Sequence, residues 1–328
     1  MRKKKAITLM LLVIIIAIYA CTQQPPPPTE PNPLKVASTP WIGWGRIKIA
    51  EEKGYFDNLE IKQVYLNTVV DVNSALLAGN VDMVWAVASD LPVLIKSDPD
   101  LRFIFASDFS GEVDAIVGRD LAENSTPNGR SFSREDVPYM IAFLGQYLRS
   151  IGLTEEDVEI IPLSAEAGVA AFTSGEVYGV ATYEPFLGEA LKDPDAKVLF
   201  TAAGSNVITN GLIARKEILE SRRSEVLAYL RAAEKGLEFF NTKRPEANTI
   251  IAKWTNSTPQ DVDSLRSRIR ILSAEENRDL VFSDGDLSAA SSIDDAVPIL
   301  IAGGKINSTV SGAGLADGSL VAELAAAP

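Results

Sequence analysis

Two stretches of the chain repeat each other. Ala75-Leu76-Leu77-Ala78-Gly79-Asn80-Val81-Asp82-Met83-Val84 and Ala171-Phe172-Thr173-Ser174-Gly175-Glu176-Val177-Tyr178-Gly179-Val180 lie 96 positions apart. Both read as a helix end, a glycine cap and a buried strand. The same offset carries Leu34–Ser38 onto Arg130–Arg134 and Leu101–Ser107 onto Lys197–Ala203, where strand-like patterns recur. Three segments in register at one spacing predict two lobes of like topology. Strands are expected near 34–38, 60–66, 81–87 and 101–107 in the first lobe, and near 130–134, 158–163, 178–183 and 197–201 in the second. Helical patterns between them predict an α/β fold with mostly parallel sheets covered on both faces. The chain is expected to cross over along Ala115-Ile116-Val117-Gly118 and to return along Leu212-Ile213-Ala214, two extended crossings suited to a hinge. Lobe 1 is thus read as 34–117 with 212–328, and lobe 2 as 118–211.

After residue 215 the pattern turns helical. Val226, Leu230, Ala233, Leu237 and Phe240 share one helical face, and Ala247, Ile250, Ile251 and Trp254 share the next. Thr258-Pro259-Gln260-Asp261 has the form of an N-cap with proline in the first turn. These helices are expected to cover the first lobe. Residues 303–328, rich in Gly, Ala and Ser, carry no clear pattern.

The beginning of the chain reads as an address and a tether. Arg2, Lys3, Lys4 and Lys5 form a positive region, and Ala6 to Ala20 is almost wholly apolar. A bilayer span takes about 20 apolar residues, so residues 1–20 suit a cleaved signal peptide better than a permanent helix. Ile18-Tyr19-Ala20-Cys21 resembles the lipobox of prokaryotic lipoproteins, with Tyr19 where a small residue is usual. Cleavage before Cys21 would leave its thiol to carry a lipid. Gln23 to Pro33 holds six prolines in eleven residues and favours extended polyproline II. Residues 21–33 would then hold the remainder roughly 30 Å from a membrane surface.

Much chemistry is excluded by composition. Cys21 is the sole cysteine and histidine is absent, which removes intrachain disulfides, zinc sites and Ser-His or Cys-His nucleophile systems. Gly312-Ala313-Gly314 lacks the strand-turn-helix setting of a dinucleotide loop, and Gly303-Gly304-Lys305 lacks P-loop spacing, so no cofactor or metal is expected. Net charge is −13, or −17 without the four leader cations, and such a chain repels phosphate backbones. No nucleic-acid partner is expected. Asn124, Asn256 and Asn307 stand in Asn-Ser-Thr sequons, which matter where the host glycosylates envelope proteins.

In open α/β sheets ligands bind beyond the carboxyl ends of the strands. Four strand exits carry proline: Ser38-Thr39-Pro40, Ser89-Asp90-Leu91-Pro92, Asp136-Val137-Pro138 and Thr182-Tyr183-Glu184-Pro185. Helix N-termini from two lobes are expected to converge there and offer free N–H groups to an accepting ligand. Trp41 and Trp44 after the first strand, with Tyr139 and Tyr183 at comparable places in the second lobe, would wall the cleft. One of the two tryptophans is expected in the core. Asp90, Asp108, Glu112, Asp114, Asp136 and Glu184 crowd the same exits, and Arg46, Arg119 and Arg134 lie near them. Carboxylates lining the cleft would favour a ligand with an amine or another donor; arginines would favour a sulfonate or similar anion. The residue pattern leaves that polarity open.

The order of these segments resembles a known family. Leu34-Lys35-Val36-Ala37, Trp41-Ile42-Gly43-Trp44 and Ala50-Glu51-Glu52-Lys53-Gly54-Tyr55-Phe56 resemble the opening of periplasmic binding proteins of the nitrate, sulfonate and taurine class. The thiamine-pyrimidine-precursor binders are relatives of that class. Ala78-Gly79-Asn80-Val81-Asp82, Asp114-Ala115-Ile116-Val117, Ser174-Gly175-Glu176-Val177, Tyr183-Glu184-Pro185-Phe186 and Leu272 with Glu275-Glu276-Asn277-Arg278 continue the likeness to about residue 300. The resemblance implies a two-lobed type II solute-binding fold. It also implies a small-molecule solute between the lobes and an ABC permease and ATPase as partners; with the lipobox-like Cys21, the chain is expected in the cell envelope, lipid-anchored on the outer face of the cytoplasmic membrane or periplasmic, as a monomer without enzymatic activity. By the same resemblance the ligand positions are Trp41, Ser89, Tyr139, Glu184 and residues near Asn210; Thr39, Trp44, Asp90, Asp136 and Tyr183 join them as candidates at the strand exits. One loop departs from the family. Gly-Thr or Gly-Ser is usual where this chain has Arg134-Glu135-Asp136-Val137-Pro138-Tyr139, so the implied sulfonate is not secured.

Two other classes compete. Some proteins of this fold are lyases, for which Glu184 would be the proton-transferring candidate. A eukaryotic pyrimidine synthase of the same ancestry consumes a histidine of its own, and this chain has none. A sensor domain would call for a membrane helix beyond the leader, which the sequence does not offer.

Overall fold

The computed structural model describes residues 32–120 and 126–326. The signal peptide, Cys21, most of the tether and the sequon at Asn124 therefore lie outside the described residues. From Leu34 onward the chain forms two mixed sheets. β1 (Leu34–Ser38), β2 (Ile61–Tyr65), β3 (Met83–Val87) and β4 (Leu101–Phe109) belong to the first. β5 (Asp114–Arg119), β6 (Ser131–Arg134), β7 (Glu159–Pro162), β8 (Gly179–Tyr183) and β9 (Ala196–Thr201) form the second. β10 (Thr209–Arg215) and the short β11 (Arg270–Ile271) return to the first.

The strand orders are β11-β4-β10-β3-β1-β2 and, read in the same sense, β9-β5-β8-β6-β7. Apart from β11 these are one arrangement. β1 and β6, β2 and β7, β3 and β8, β4 and β9 are equivalent, and each pair begins within two residues of the 96-residue spacing. β1 pairs in parallel with β2 and β3, and β6 in parallel with β7 and β8. One antiparallel strand is inserted in each sheet, β10 between β3 and β4 and β5 between β8 and β9.

The inserted strands come from the far side of each crossing. β5 follows β4 in the chain yet lies wholly in the second sheet, and β10 follows β9 yet lies wholly in the first. The chain therefore passes between sheets at 110–113 and 202–208, and not along Ala115–Gly118 and Leu212–Ala214. Those runs are buried ladder strands whose backbone groups need partners on both sides, which a bare crossing could not provide. The lobe limits expected at 117/118 and 211/212 accordingly fall inside β5 and β10.

Helices cover the sheets with the local signals their sequences carry. α1 (Gly45–Glu52) follows β1, and α2 (Val69–Leu77) follows β2, where the Thr68 hydroxyl accepts from the Asp71 N–H. α3 (Pro138–Ser150) starts on its proline, and α4 (Ala165–Ser174) is capped by the Ser164 hydroxyl. Gly175, at φ +82°, ends α4 in the left-handed conformation, and Gly79 at φ +72° does the same beyond α2. α5 (Phe186–Ala190) is a single short piece after β8.

In α6 (Arg223–Thr242) the expected face of Val226, Leu230, Ala233, Leu237 and Phe240 is buried. It packs on α1 so closely that a Cβ at Gly236 would lie 2.0 Å from the Arg46 carbonyl oxygen. α7 (Arg244–Thr255) and α8 (Pro259–Arg266) complete this cover, with Thr258 and Asp261 in a reciprocal capping box. α9 (Ala289–Ala302) reaches the second lobe: Ile299 packs against Gly145 of α3, and the Arg149 guanidinium donates to the Pro298 carbonyl at 2.9 Å. The C-terminal part is thus not confined to lobe 1. The unpatterned tail forms two short helices, Gly312–Leu315 and Ser319–Ala325.

Candidate ligand-binding site

A cavity of about 320 Å³ lies between the two sheets, within the size range of small-ligand pockets. The exit of β1 contributes Thr39, Pro40, Trp41 and Trp44. Asn67 and Thr68 before α2, with Val69 and Val70 in its first turn, add a further wall. From the second lobe come Glu135, Val137 and Tyr139 after β6, and Tyr183 to Phe186 after β8. Both crossings take part, through Ser110 on one and Ile208 on the other, with Asp114 and Asn210 at the starts of β5 and β10 just beyond them. Any relative movement of the lobes would therefore reshape this cavity directly.

Seven candidate residues are brought together here: Thr39, Trp41, Trp44, Tyr139, Tyr183, Glu184 and Asn210. Trp44 is also the expected core tryptophan, packed 6.5 Å from the Trp85 ring. Ser89, Asp90 and Asp136 do not line the cavity. The Ser89 hydroxyl turns inward to the Val207 carbonyl at 2.6 Å. Asp90 is fully buried and accepts the Tyr139 N–H at 3.0 Å, tying the exit of β3 to the start of α3 across the lobes. Asp136 points outward to Lys305 and Arg134. The three arginines are likewise elsewhere. Arg46 is buried among Glu234 and the Ser107 and Leu272 carbonyls, Arg119 pairs with Asp193, and Arg134 pairs with Glu155. Among the described residues no lysine or arginine lines the cavity.

Two of the helix-start amides expected to be free are already taken. The Tyr139 N–H at the first turn of α3 is taken by Asp90, and the Gly188 N–H of α5 by Glu184 at 3.0 Å. At these two amides a carboxylate of the protein occupies the place an anionic ligand would use, whereas the Val69 and Val70 N–H groups at the start of α2 have no partner among the described residues. Glu184 is itself neutralised, since the Arg268 guanidinium donates to it at 2.5 Å. Arg268 was not foreseen; it sits just before β11, far from the exits in sequence.

The remaining carboxylates are less well matched. Asp114 is fully buried, accepts from the Ser110 hydroxyl and forms no ion pair among the described residues. Burial, with Asp108 and Glu184 nearby, pushes its carboxyl up to about 7. Ser110 in turn accepts from the Asn210 amide at 3.0 Å, and the same amide donates to Asp108 at 2.8 Å. Burial also pushes up Asp108, despite its bond from Ser107, and raises Asp90 to about 7. Glu135 is raised by burial against donors in Tyr183 and the Ala165 N–H. Tyr139 and Tyr183 are raised well above their ordinary range, first by burial and then by these same carboxylates.

Asn67 to Val70, Ser110, Glu135 and Ile208 were not singled out as ligand candidates. Asn67 and Thr68 mark a further strand exit, but one without proline. Glu135 lies in the loop whose sequence departs from the family, which was the available signal. Among the described residues no group of three or more His, Cys, Asp or Glu is placed to hold a metal ion.

Comparison with known proteins bears on the fold. Residues 128–247 match the NMT1/THI5-like family. The periplasmic aliphatic sulphonate binding protein SsuA of Escherichia coli superposes with a TM-score of 0.70 at 16% identity, over 87% of this chain and 92% of that one. The alkanesulfonate-binding protein of Xanthomonas axonopodis pv. citri, bound to MOPS, gives 0.69 at 15% identity, over 89% and 100%. This chain has the periplasmic-binding-protein fold. The two lobes expected of a type II solute-binding fold are present, each with one strand supplied from across the crossing. The fold also carries catalysis elsewhere: the desulfurization enzyme DSZB superposes with a TM-score of 0.58 at 14% identity, over 90% and 99%. No curated protein sequence matches the chain.

Proposed function

We propose that the chain is an extracytoplasmic solute-binding lipoprotein that hands a small solute to an ABC permease and its ATPase. The supporting observation is the cavity itself, walled by both lobes and by both crossings, with aromatic faces at Trp41, Trp44, Tyr139 and Tyr183. Solute bridging the two walls would shift the lobes toward a closed form that a permease could recognise. The periplasmic binding proteins that share the fold support this reading. The anchor at Cys21, a position on the outer face of the cytoplasmic membrane and a monomeric state complete it.

Trp41 and Trp44 line the cavity, so intrinsic fluorescence should report saturable binding. Trp41→Ala and Glu184→Ala should each weaken it at least about tenfold with circular dichroism unchanged, a loss of about 1.4 kcal/mol. Full affinity in both variants would refute the site. A cleft enzyme is the alternative, favoured by one observation: Asp114, at about 7, is a lining group able to take or give a proton near neutrality. Solute recovered unchanged after long incubation separates capture from turnover.

A further inference from the structure

We infer that the captured solute is a small organic cation, seated between Asp114 and Glu135 against the aromatic walls; this rests on the solute-capture reading. Three observations carry it. The cavity holds carboxylates and no basic lining residue among the described residues, and Arg268 is engaged by Glu184 alone of them. Asp114 and Glu135 are left without a counter-cation, and the two flank one aromatic ring: Asp114 is the ladder partner of Tyr183, whose hydroxyl bonds to Glu135. A ligand ammonium there would supply the missing positive charge and sit over faces that attract cations.

The second observation concerns the places an anion would need. The α3 amide at Tyr139 is held by Asp90 and the Gly188 amide by Glu184, so these two donors are spent within the protein. A sulfonate in this cavity would face Asp114 and Glu135 with no arginine or lysine among the described lining residues, leaving only the Val69 and Val70 N–H groups at the start of α2 to receive it. Third, Trp44 is 4% exposed, lines the cavity, and its indole Nε1 has no hydrogen-bond partner in the protein. It can answer an acceptor on the ligand, such as a hydroxyl or carbonyl oxygen carried beside the cationic head.

The test is a melting-temperature screen at pH 8 with choline, benzylammonium and guanidinium set against ethanesulfonate, nitrate and uncharged 4-aminopyrimidine. At least one cation should raise the melting temperature and quench tryptophan fluorescence saturably, while the others do nothing. Asp114→Asn and Glu135→Gln should each weaken the active cation at least about tenfold, equivalent to one step in the affinity scale. A shift with an anion or the aminopyrimidine, and none with the cations, would overturn the cation and leave solute capture standing. Cation binding indifferent to both substitutions would overturn the placement. No shift with any probe would count against capture itself, and the inference would fall with it.

Discussion

Asp114→Asn should make the protein more stable and less useful. Its carboxyl is fully buried, bonded to the Ser110 hydroxyl, and raised from 3.8 to about 7. A group raised in the folded state contributes stability that is fully present below its unfolded value and is lost as pH climbs through the folded one. The protein should therefore lose stability from this group between pH 4 and 7 and hold level above. About three pKa units correspond to roughly 4 kcal/mol at most, and the amide's own desolvation leaves about 2–3 kcal/mol as the gain. For a chain of this size the unfolding entropy is about 0.6 kcal/mol/K, so the melting temperature should rise by roughly 3–5 °C at pH 8. At pH 4, where the folded carboxyl is protonated, the advantage should be gone and the variant should melt at or slightly below the wild type, because the amide's desolvation remains. Asp90 also titrates near 7 but is common to both proteins and drops out of the difference. Thermal unfolding of the pair across pH 4–8 is the assay. A variant less stable at pH 8, or an equal difference at both ends, would refute the burial argument.

Three further outcomes are expected. Gly236→Ala should lower stability by about 1–3 kcal/mol in denaturant titration, because its Cβ would meet the Arg46 carbonyl at 2.0 Å and the α1–α6 contact would have to open. Arg46→Ala should cost about 3–5 kcal/mol, since it leaves Glu234 without its cation and the Ser107 and Leu272 carbonyls without a donor. Cys21→Ser should move the protein from the membrane pellet to the soluble fraction on cell lysis, which fractionation and immunoblotting would read.

Most strands were legible within two residues because each is bracketed by strong local signals: Gly79 and Gly175 where a positive φ is needed, and a short apolar run thereafter. The swap of β5 and β10 was not legible. A buried apolar run such as Ala115-Ile116-Val117 reads alike whether it crosses between sheets or is the middle strand of one, since its partners Ala181 and Phe200 are far away in sequence. The cleft shows the same division. Prolines at strand exits led to Trp41, Tyr139, Tyr183 and Glu184, because backbone direction there follows from the local turn. Which carboxylate faces the cavity depends on side-chain partners: Asp90 is claimed by the Tyr139 amide and Asp136 by Lys305, while Asp114, the first residue of its strand, is left facing in. Arg268 entered the site from a segment whose local pattern gave no hint of it.

Titration calorimetry of the mature protein with the cation that gives the largest melting shift, followed by recovery of that compound from the denatured complex, tests the account most directly. One molecule bound per chain, lost in Asp114→Asn and recovered chemically unchanged, is the result predicted. Binding of a sulfonate with equal strength in wild type and Asp114→Asn, or recovery of an altered compound, would contradict it.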